Sequence, residues 1–170
     1  MRLRAAPAPA RAAWQPGPLR MVGIGYDSHR FAPGRRLVLG GVEIEHELGL
    51  EGHSDADVLT HAVIDALLGA GGGGDIGTMF PDDDPRWRDA DSIDLLRTVV
   101  GTIAGAIVNV DATLICEQPR LGPHKAEMER AIGDATSARV SVKATSNEGM
   151  GWIGRGEGIA CIAVAMVQSE

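Results

Sequence analysis

Short apolar runs alternate with longer segments of helical periodicity along most of the chain, and this alternation predicts a mixed α/β fold. The runs have strand length and end at glycine, proline or clusters of polar residues. The run over residues 159–167 shows no polar alternation, so we expect a strand that is buried on both faces. The predicted strands cover residues 21–26, 37–39, 42–44, 107–117, 140–145 and 159–167.

Three helices are predicted from the spacing of the remaining apolar positions. The first begins at Ser54, which forms a capping-box pattern with Asp57, and it ends before Gly69. Residues 70–91 read as one loop, and a loop of this length inside a compact domain usually has a function. The predicted helices cover residues 54–68, 91–103 and 123–133.

The length of 170 residues and the hydrophobic content of 44% fit one domain. We therefore expect a single small α/β (α+β) domain over residues 21–170, with a mixed sheet and helices packed on one face. Few helices are available to cover the predicted doubly buried strand, so we also expect oligomerisation. Residues 1–20 are rich in Ala, Pro and Arg, which predicts a disordered extension or a start codon assigned upstream of Met21.

The formal net charge of −7 argues against a nucleic-acid partner, which would require a basic face. A polyanionic ligand would need bound cations to reverse the local field. The sequence contains no apolar stretch of spanning length, so no membrane partner is expected. Cys116 and Cys161 lie in apolar runs and are predicted to be buried reduced thiols, as in a cytoplasmic protein.

Three side chains could form a metal site. Asp27 and His29 are spaced to point to the same side of an extended segment, and His61 lies on the first predicted helix. Asp57, His61 and Asp65 form a polar stripe on that helix, which we expect to face solvent or a cleft. One carboxylate and two imidazoles suit catalytic zinc with an open position, and they also suit non-haem Fe(II). A solvated His–Asp pair is the alternative.

Two further segments carry features of phosphate binding. His53 and Ser54 stand at the start of the first predicted helix, where unpaired N–H groups favour an anion. Residues 145–158 combine hydroxyls, five glycines, Glu148 and Arg155; a glycine-rich hairpin is the alternative for this segment. Glu148 could hold Mg²⁺ beside a phosphate that Arg155 binds.

These motifs closely resemble the 2-C-methyl-D-erythritol 2,4-cyclodiphosphate synthase family of the non-mevalonate isoprenoid pathway. The resemblance covers residues 21–168 and is carried by Gly-Tyr-Asp-Ser-His-Arg-Phe (25–31), His-Ser-Asp-Ala-Asp-Val-Leu-Thr-His (53–61), Asp-Ile-Gly (75–77) with Phe-Pro-Asp (80–82), and Gly-Trp-Ile-Gly-Arg-Gly-Glu-Gly (151–158). It implies a homotrimer with active sites between subunits and a cytidine-diphosphate substrate.

The resemblance also assigns roles to individual positions. Asp27, His29 and His61 would bind Zn²⁺ or another divalent transition metal, and Glu148 would bind Mg²⁺ or Mn²⁺. His53 and Ser146 become the candidate catalytic groups. The positions that match the family's substrate-binding and axial residues are Ser54, Asp75, Ile76, Gly77, Phe80, Pro81, Asp82, Asp84, Cys116, Pro119, Arg120, Leu121, Gly122, Ala144, Thr145, Trp152 and Arg155.

The implied reaction is an intramolecular attack of a phosphate on a diphosphate, with release of CMP. A phosphate monoester is already ionised near neutral pH, so the reaction needs positioning and charge neutralisation rather than a general base. Two alternatives are a non-haem Fe(II) oxygenase on the Asp/His/His trio and a non-catalytic, metal-stabilised trimeric binding protein.

Overall fold

The computed structural model describes residues 17–169, so most of the predicted extension over residues 1–20 lies outside the described residues. The predicted mixed α/β class is confirmed. The strands are β1 (Arg20–Pro33), β2 (Leu37–Leu39), β3 (Val42–Ile44), β4 (Leu48–Leu50), β5 (Ala106–Ile115), β6 (Arg139–Thr145) and β7 (Gly158–Gln168). The helices are α1 (Val58–Gly71), α2 (Ile76–Met79), α3 (Ser92–Val100), α4 (Lys125–Thr136) and α5 (Gly151–Gly154).

A five-stranded mixed sheet forms the centre of the fold, in the order β4-β1-β7-β5-β6. β1 pairs with β7 antiparallel along its length, with Asp27 opposite Cys161 and His29 opposite Ile159. Only β5 and β6 run parallel. The hairpin of β2 and β3 forms a separate two-stranded sheet around Gly40 and Gly41, as the sequence predicts.

The three longest helices bury their apolar side chains in one core cluster with the inner face of the sheet. α1 lies directly on β1, and two glycines of β1 make this close approach feasible. A Cβ on Gly23 would lie 2.0 Å from the Ala66 carbonyl oxygen, and one on Gly25 would lie 2.0 Å from that of Ala62. The helix backbone therefore rests against the strand next to the predicted metal ligands.

The structure corrects several predicted element boundaries. α1 begins at Val58, because Asp57 rather than Ser54 accepts the first backbone N–H groups of the helix. α1 also continues through Gly69 to an αL terminator at Gly72. α3 ends at Val100, and α4 begins after a 3-10 turn at Gly122–His124 and ends at Thr136. The predicted loop 70–91 contains α2 and a 3-10 turn at Pro85–Trp87.

On the outer face of the sheet, β1 and β7 expose apolar side chains in the single chain. The prediction that β7 is buried on both faces is therefore wrong for one subunit, because Ile162 and Val164 are 39% and 37% exposed. They pair with Tyr26 and Ile24 of β1. We call this surface the outer apolar face; its members are Val22, Ile24, Tyr26, Val108, Ile162 and Val164.

Candidate active site

Asp27, His29 and His61 converge at the junction of β1 and α1. Their ligand atoms all lie within 4.8 Å of one another. Asp27 Oδ2 lies 2.9 Å from His29 Nε2 and 3.0 Å from His61 Nδ1, and the two ring nitrogens are 3.2 Å apart. The structure thus brings together the three residues that the sequence predicts as metal ligands.

The outer nitrogens of both rings have polar partners. His29 Nδ1 lies 2.7 Å from the Glu51 carbonyl oxygen, which can only accept a hydrogen bond. His29 therefore donates through Nδ1, and in its neutral form it presents the Nε2 lone pair to the cluster. His61 Nε2 lies 2.9 Å from Ser92 Oγ and 3.1 Å from Ser54 Oγ. Such partners on the remaining ring nitrogen are the usual support of a metal-binding histidine.

The charges of the cluster reinforce one another. Burial acts to raise the pKa of Asp27, but hydrogen bonds and charge attraction from His29 and His61 hold that pKa far below its usual range. Burial acts to lower the pKa of His29, but Asp27 outweighs it, so the pKa is raised above 6.5. Asp27 is thus ionised, and it favours the protonated form of His29.

The donor set fits a divalent metal ion. One carboxylate oxygen and two imidazole nitrogens face a common point and leave room for a further ligand, as in catalytic zinc sites. The two facing ring nitrogens are 3.2 Å apart, and a proton or a cation between them offsets the repulsion of their lone pairs. The three residues can therefore hold a metal ion, and the same ligands would also accept other transition metals.

The prediction that Asp57 belongs to a polar stripe facing solvent or a cleft is wrong, because Asp57 is fully buried. It accepts hydrogen bonds from Gly40 N, Gly41 N, Leu59 N, Thr60 N and Thr60 Oγ1. Burial and the nearby Asp55 raise the pKa of Asp57, and the hydrogen bonds from Thr60 and Gly40 oppose the rise. Its role is to join the β2–β3 turn to the start of α1. The third member of the stripe, Asp65, is half-buried and accepts from Ile76 N at 2.8 Å.

A cavity of about 310 Å³ opens beside the cluster, and we call it the metal-side cavity. His29 and His61 form part of its wall, together with most of the predicted substrate-binding residues of this region. The other lining residues are Gly52, His53, Ser54, Ile76, Gly77, Phe80, Asp82, Trp87 and Leu95.

Three predicted substrate-binding residues of this region are not among the lining residues. Asp75 is exposed and accepts from Thr78 N at 2.7 Å as the cap of α2. Asp84 caps the 3-10 turn and pairs with Arg86 at 2.6 Å, and Pro81 likewise lies outside the lining. Trp87, to which the sequence assigned no role, does line the cavity and packs edge-on against Phe80. Apolar spacing inside a loop gave no signal for that position.

A second cleft, of about 570 Å³, lies where β5 and β6 end. We call it the nucleotide-type cleft because its lining contains all of the substrate-binding positions that the resemblance assigns to these two strand ends. Burial and the neighbouring Glu117 raise the pKa of the Cys116 thiol to about 11. The lining residues are Cys116, Glu117, Pro119, Arg120, Leu121, Gly122, Pro123, Lys125, Ala144, Thr145 and Ser146.

The turn after β6 presents Ser146 and Glu148 at the edge of this cleft. Ser146 Oγ donates to Glu148 Oε1 at 2.8 Å, and Glu148 has a left-handed backbone at φ 51°. Glu117, which the sequence analysis missed, shapes the turn by accepting from Asn147 N at 2.9 Å and Gly149 N at 3.2 Å. Only the strand-end register of β5 and β6 brings Glu117 to this turn.

Trp152 and Arg155 lie outside both cavities. Trp152 lines a shallow recess with Ser28, His29, Arg30 and Glu157. Arg155 donates from Nε to Glu157 Oε1 at 2.6 Å. Both residues lie just before β7, which is one of the strands that carry the outer apolar face.

A protein-family comparison decides where this fold and site belong. The model of the YgbB family matches residues 20–168. The chain belongs to the YgbB family. Relatives named 2-C-methyl-D-erythritol 2,4-cyclodiphosphate synthase occur in Symbiobacterium thermophilum, with 56% identity over 86% of this chain and 98% of the relative, and in Salinibacter ruber, with 55% identity over 87% and 98%.

Solved structures of the family share this fold. A 2C-methyl-D-erythritol-2,4-cyclodiphosphate synthase with bound CDP has a TM-score of 0.76 and 35% identity, over 85% of this chain and 97% of that chain. The bifunctional IspDF of Campylobacter jejuni has a TM-score of 0.86 and 37% identity, over 91% of this chain and 44% of that chain. The IspF–CDP complex of Plasmodium falciparum has a TM-score of 0.76 and 29% identity, over 89% and 97%.

Proposed function

We propose that the chain converts 4-diphosphocytidyl-2-C-methyl-D-erythritol 2-phosphate into 2-C-methyl-D-erythritol 2,4-cyclodiphosphate and CMP. An oxygen of the substrate's 2-phosphate attacks the β-phosphorus, and the bond from that phosphorus to the bridging oxygen of CMP breaks. The reaction is that of a phosphorus–oxygen lyase in the non-mevalonate pathway. The observation that carries the proposal is the Asp27–His29–His61 cluster in the wall of a cavity, in a chain more than half identical to relatives of that name.

The residues around the two cavities would bind different parts of the proposed substrate. His53 and Ser54, on the wall of the metal-side cavity, offer donors for the methylerythritol phosphate. The nucleotide-type cleft takes the cytidine, with Ser146 and Glu148 at the phosphates and Arg155 as a further phosphate contact. Zn²⁺ on the cluster and Mg²⁺ or Mn²⁺ at Glu148 would supply the positive charge that offsets repulsion between the phosphates.

The proposed reaction depends on the orientation of the two reacting phosphate groups more than on proton transfer. The attacking phosphate is already ionised, with a second pKa near 6. Holding the reacting groups near attack geometry contributes on the order of 7–11 kcal/mol to such a reaction. The buried start of α1 and the short β1–α1 contact give His61 that rigidity.

We infer that the active protein is a homotrimer. The metal-side cavity and the nucleotide-type cleft share no lining residue within one chain, yet the substrate needs both. We propose that the homotrimer covers the outer apolar face and that the cleft of one subunit lies beside the metal-side cavity of its neighbour. An apolar patch of this kind is typical of a subunit contact. A cytoplasmic location remains an expectation from the sequence; no helix in the described part of the chain has the length and apolarity to cross a membrane.

The decisive experiment is CMP release from the cytidine-diphosphate substrate. Metal-replete protein should release CMP and form the cyclic diphosphate in equal amounts, and a chelator should abolish both. His61→Ala should lose bound zinc and activity, whereas His46→Ala, which lines neither cavity, should keep both. A metal-replete trimer that releases no CMP would refute the proposal. The oxygenase and binding-protein alternatives find no support among the named relatives.

A further inference from the structure

The side of His61 that faces away from the metal cluster contacts two hydroxyl groups. Its Nε2 lies 2.9 Å from Ser92 Oγ and 3.1 Å from Ser54 Oγ. A hydroxyl can donate or accept, so neither distance alone fixes which ring nitrogen of His61 carries the proton. The difference matters, because only the Nε2–H tautomer presents the Nδ1 lone pair to Asp27 and His29.

The two hydroxyls differ in where their hydrogen atoms point. Ser92 Oγ makes a very short hydrogen bond to Asp55 Oδ1, and Ser92 N donates to Asp55 Oδ2 at 3.0 Å. An ionised carboxylate only accepts, so the hydroxyl hydrogen of Ser92 is directed to Asp55. Only lone pairs of Ser92 then face His61, and they require Nε2 to be the donor.

Ser54 sets no such requirement. Its Oγ accepts from Ala56 N at 3.2 Å, and within the described residues the only other hydrogen-bond partner of this hydroxyl is His61. Its hydrogen can turn toward His61 or into the metal-side cavity, so Ser54 is compatible with either tautomer of the ring.

Asp55 and Ser92 are held rigidly. Ser92 has no exposed surface and is the first residue of α3, whose N-cap is Asp91. Asp55 N also donates to the Ala90 carbonyl oxygen at 3.2 Å, and Asp89 N donates to that of His53 at 2.9 Å. The segment before α1 is therefore bonded along the segment before α3, which fixes the distance from Ser92 to His61.

We propose that Asp55 and Ser92 are positioning residues that lock His61 in its Nε2–H form and aim Nδ1 at the metal. The proposal rests on the metal centre of the proposed function. Loss of the Ser92 hydroxyl leaves Ser54 as the partner of Nε2, and the ring can then take the Nδ1–H form and donate to Asp27. A metal ion must displace that proton, so its affinity falls. Losses of this kind in metal-supporting residues are about 10- to 100-fold.

The test compares Ser92→Ala with Ser54→Ala in the full chain. Zinc affinity, measured by competition with a chelator, should fall at least about tenfold in Ser92→Ala and change by less than about threefold in Ser54→Ala. Imidazole ¹⁵N spectra of the metal-free protein should show His61 as Nε2–H in the wild type and shifted toward Nδ1–H in Ser92→Ala. Asp91→Asn, which keeps the cap of α3, is the matched control and should behave as wild type.

A folded Ser92→Ala protein with unchanged zinc affinity and an unchanged His61 tautomer would overturn the proposal. If that variant does not fold, Asp55→Asn serves instead. Ser92 N and Ser92 Oγ each donate to a different carboxylate oxygen of Asp55, and an amide replaces one of these acceptors with an NH₂ donor, so the same two results are expected. Neither readout needs turnover. A protein that shows both effects but releases no CMP would refute the proposed reaction and leave the roles of Asp55 and Ser92 intact.

Discussion

At the scale of single residues, the metal cluster depends on where protons lie. Asp27 stays ionised because His29 and His61 stabilise its charge despite burial. His29, in turn, holds its proton more tightly than a free imidazole because Asp27 outweighs the effect of burial. A proton and a divalent ion therefore compete for the same point between the three side chains, and this competition has a defined dependence on pH.

The apparent zinc affinity should rise with pH. The raised pKa of His29 means that the metal-free protein keeps this proton at pH 6.5 and loses it only above that value. Zinc binding then releases the proton below the raised pKa and releases none well above it. Titrations between about pH 6 and 8.5, in buffers of different ionisation enthalpy, should show affinity increasing and proton release declining across this window.

The stability of the metal-free protein should change in the opposite direction. The charge pair of His29 with Asp27 contributes fully below pH 6.5 and is lost as pH rises through the raised pKa. Zinc affinity that does not vary with pH would contradict the proton competition.

At the scale of elements, the sequence predicts those features that depend on local pattern. The apolar periods locate all of the long helices and most strands, and the strand-end spacing of Asp27 and His29 is enough to suggest a shared ligand direction. The cap of α1 was assigned to Ser54 because Ser54 and Asp57 match a capping box. In the fold, the backbone of Gly40 and Gly41 supplies two further donors to Asp57. Contacts between distant segments leave no pattern in the local sequence. For the same reason the sequence predicts neither the turn contacts of Glu117 nor the place of Trp87 in the metal-side cavity.

The contact between α1 and β1 sets the geometry of the cluster, and Gly25→Ala tests it. Its Cβ would lie 2.0 Å from the Ala62 carbonyl oxygen and 2.7 Å from Ala66 N, which are backbone atoms with little freedom to move. We expect a loss of about 3 kcal/mol in the free energy of unfolding, measured with urea. Zinc affinity should fall too, because Asp27 and His61 lie on the two separated elements.

Gly101→Ala is the control for this substitution. Gly101 has a right-handed helical backbone, and its nearest neighbour to an added Cβ is 3.4 Å away. Its stability should stay within about 0.5 kcal/mol of the wild type. A Gly25→Ala protein with wild-type stability and zinc binding would show that α1 can move away from β1 without cost.

At the scale of the whole molecule, the proposed site has two parts, the metal-side cavity and the nucleotide-type cleft, which share no lining residue within one chain. All three metal ligands come from one subunit, so zinc binding should not need a partner. The metal-side cavity and the nucleotide-type cleft have separate linings, so turnover should need both. The run that the sequence marks as buried on both faces is exposed on one face of β7 in a single subunit. In the proposed homotrimer, neighbouring copies of the chain would bury that face.

Ile24→Glu separates these two properties. Ile24 is 71% exposed on the outer apolar face, so a charge there should leave the subunit fold intact but oppose burial against another copy. We expect the variant to be monomeric by light scattering, with wild-type helical signal by circular dichroism. It should retain zinc and lose CMP release by at least about a hundredfold, since the proposed homotrimer draws the groups that orient the substrate from two subunits. Ala126→Glu, at an exposed position on α4, introduces the same charge away from the face and should remain trimeric and active. An Ile24→Glu monomer with wild-type turnover would show that one chain holds the complete site, and a wild-type protein that is itself monomeric would refute the assembly.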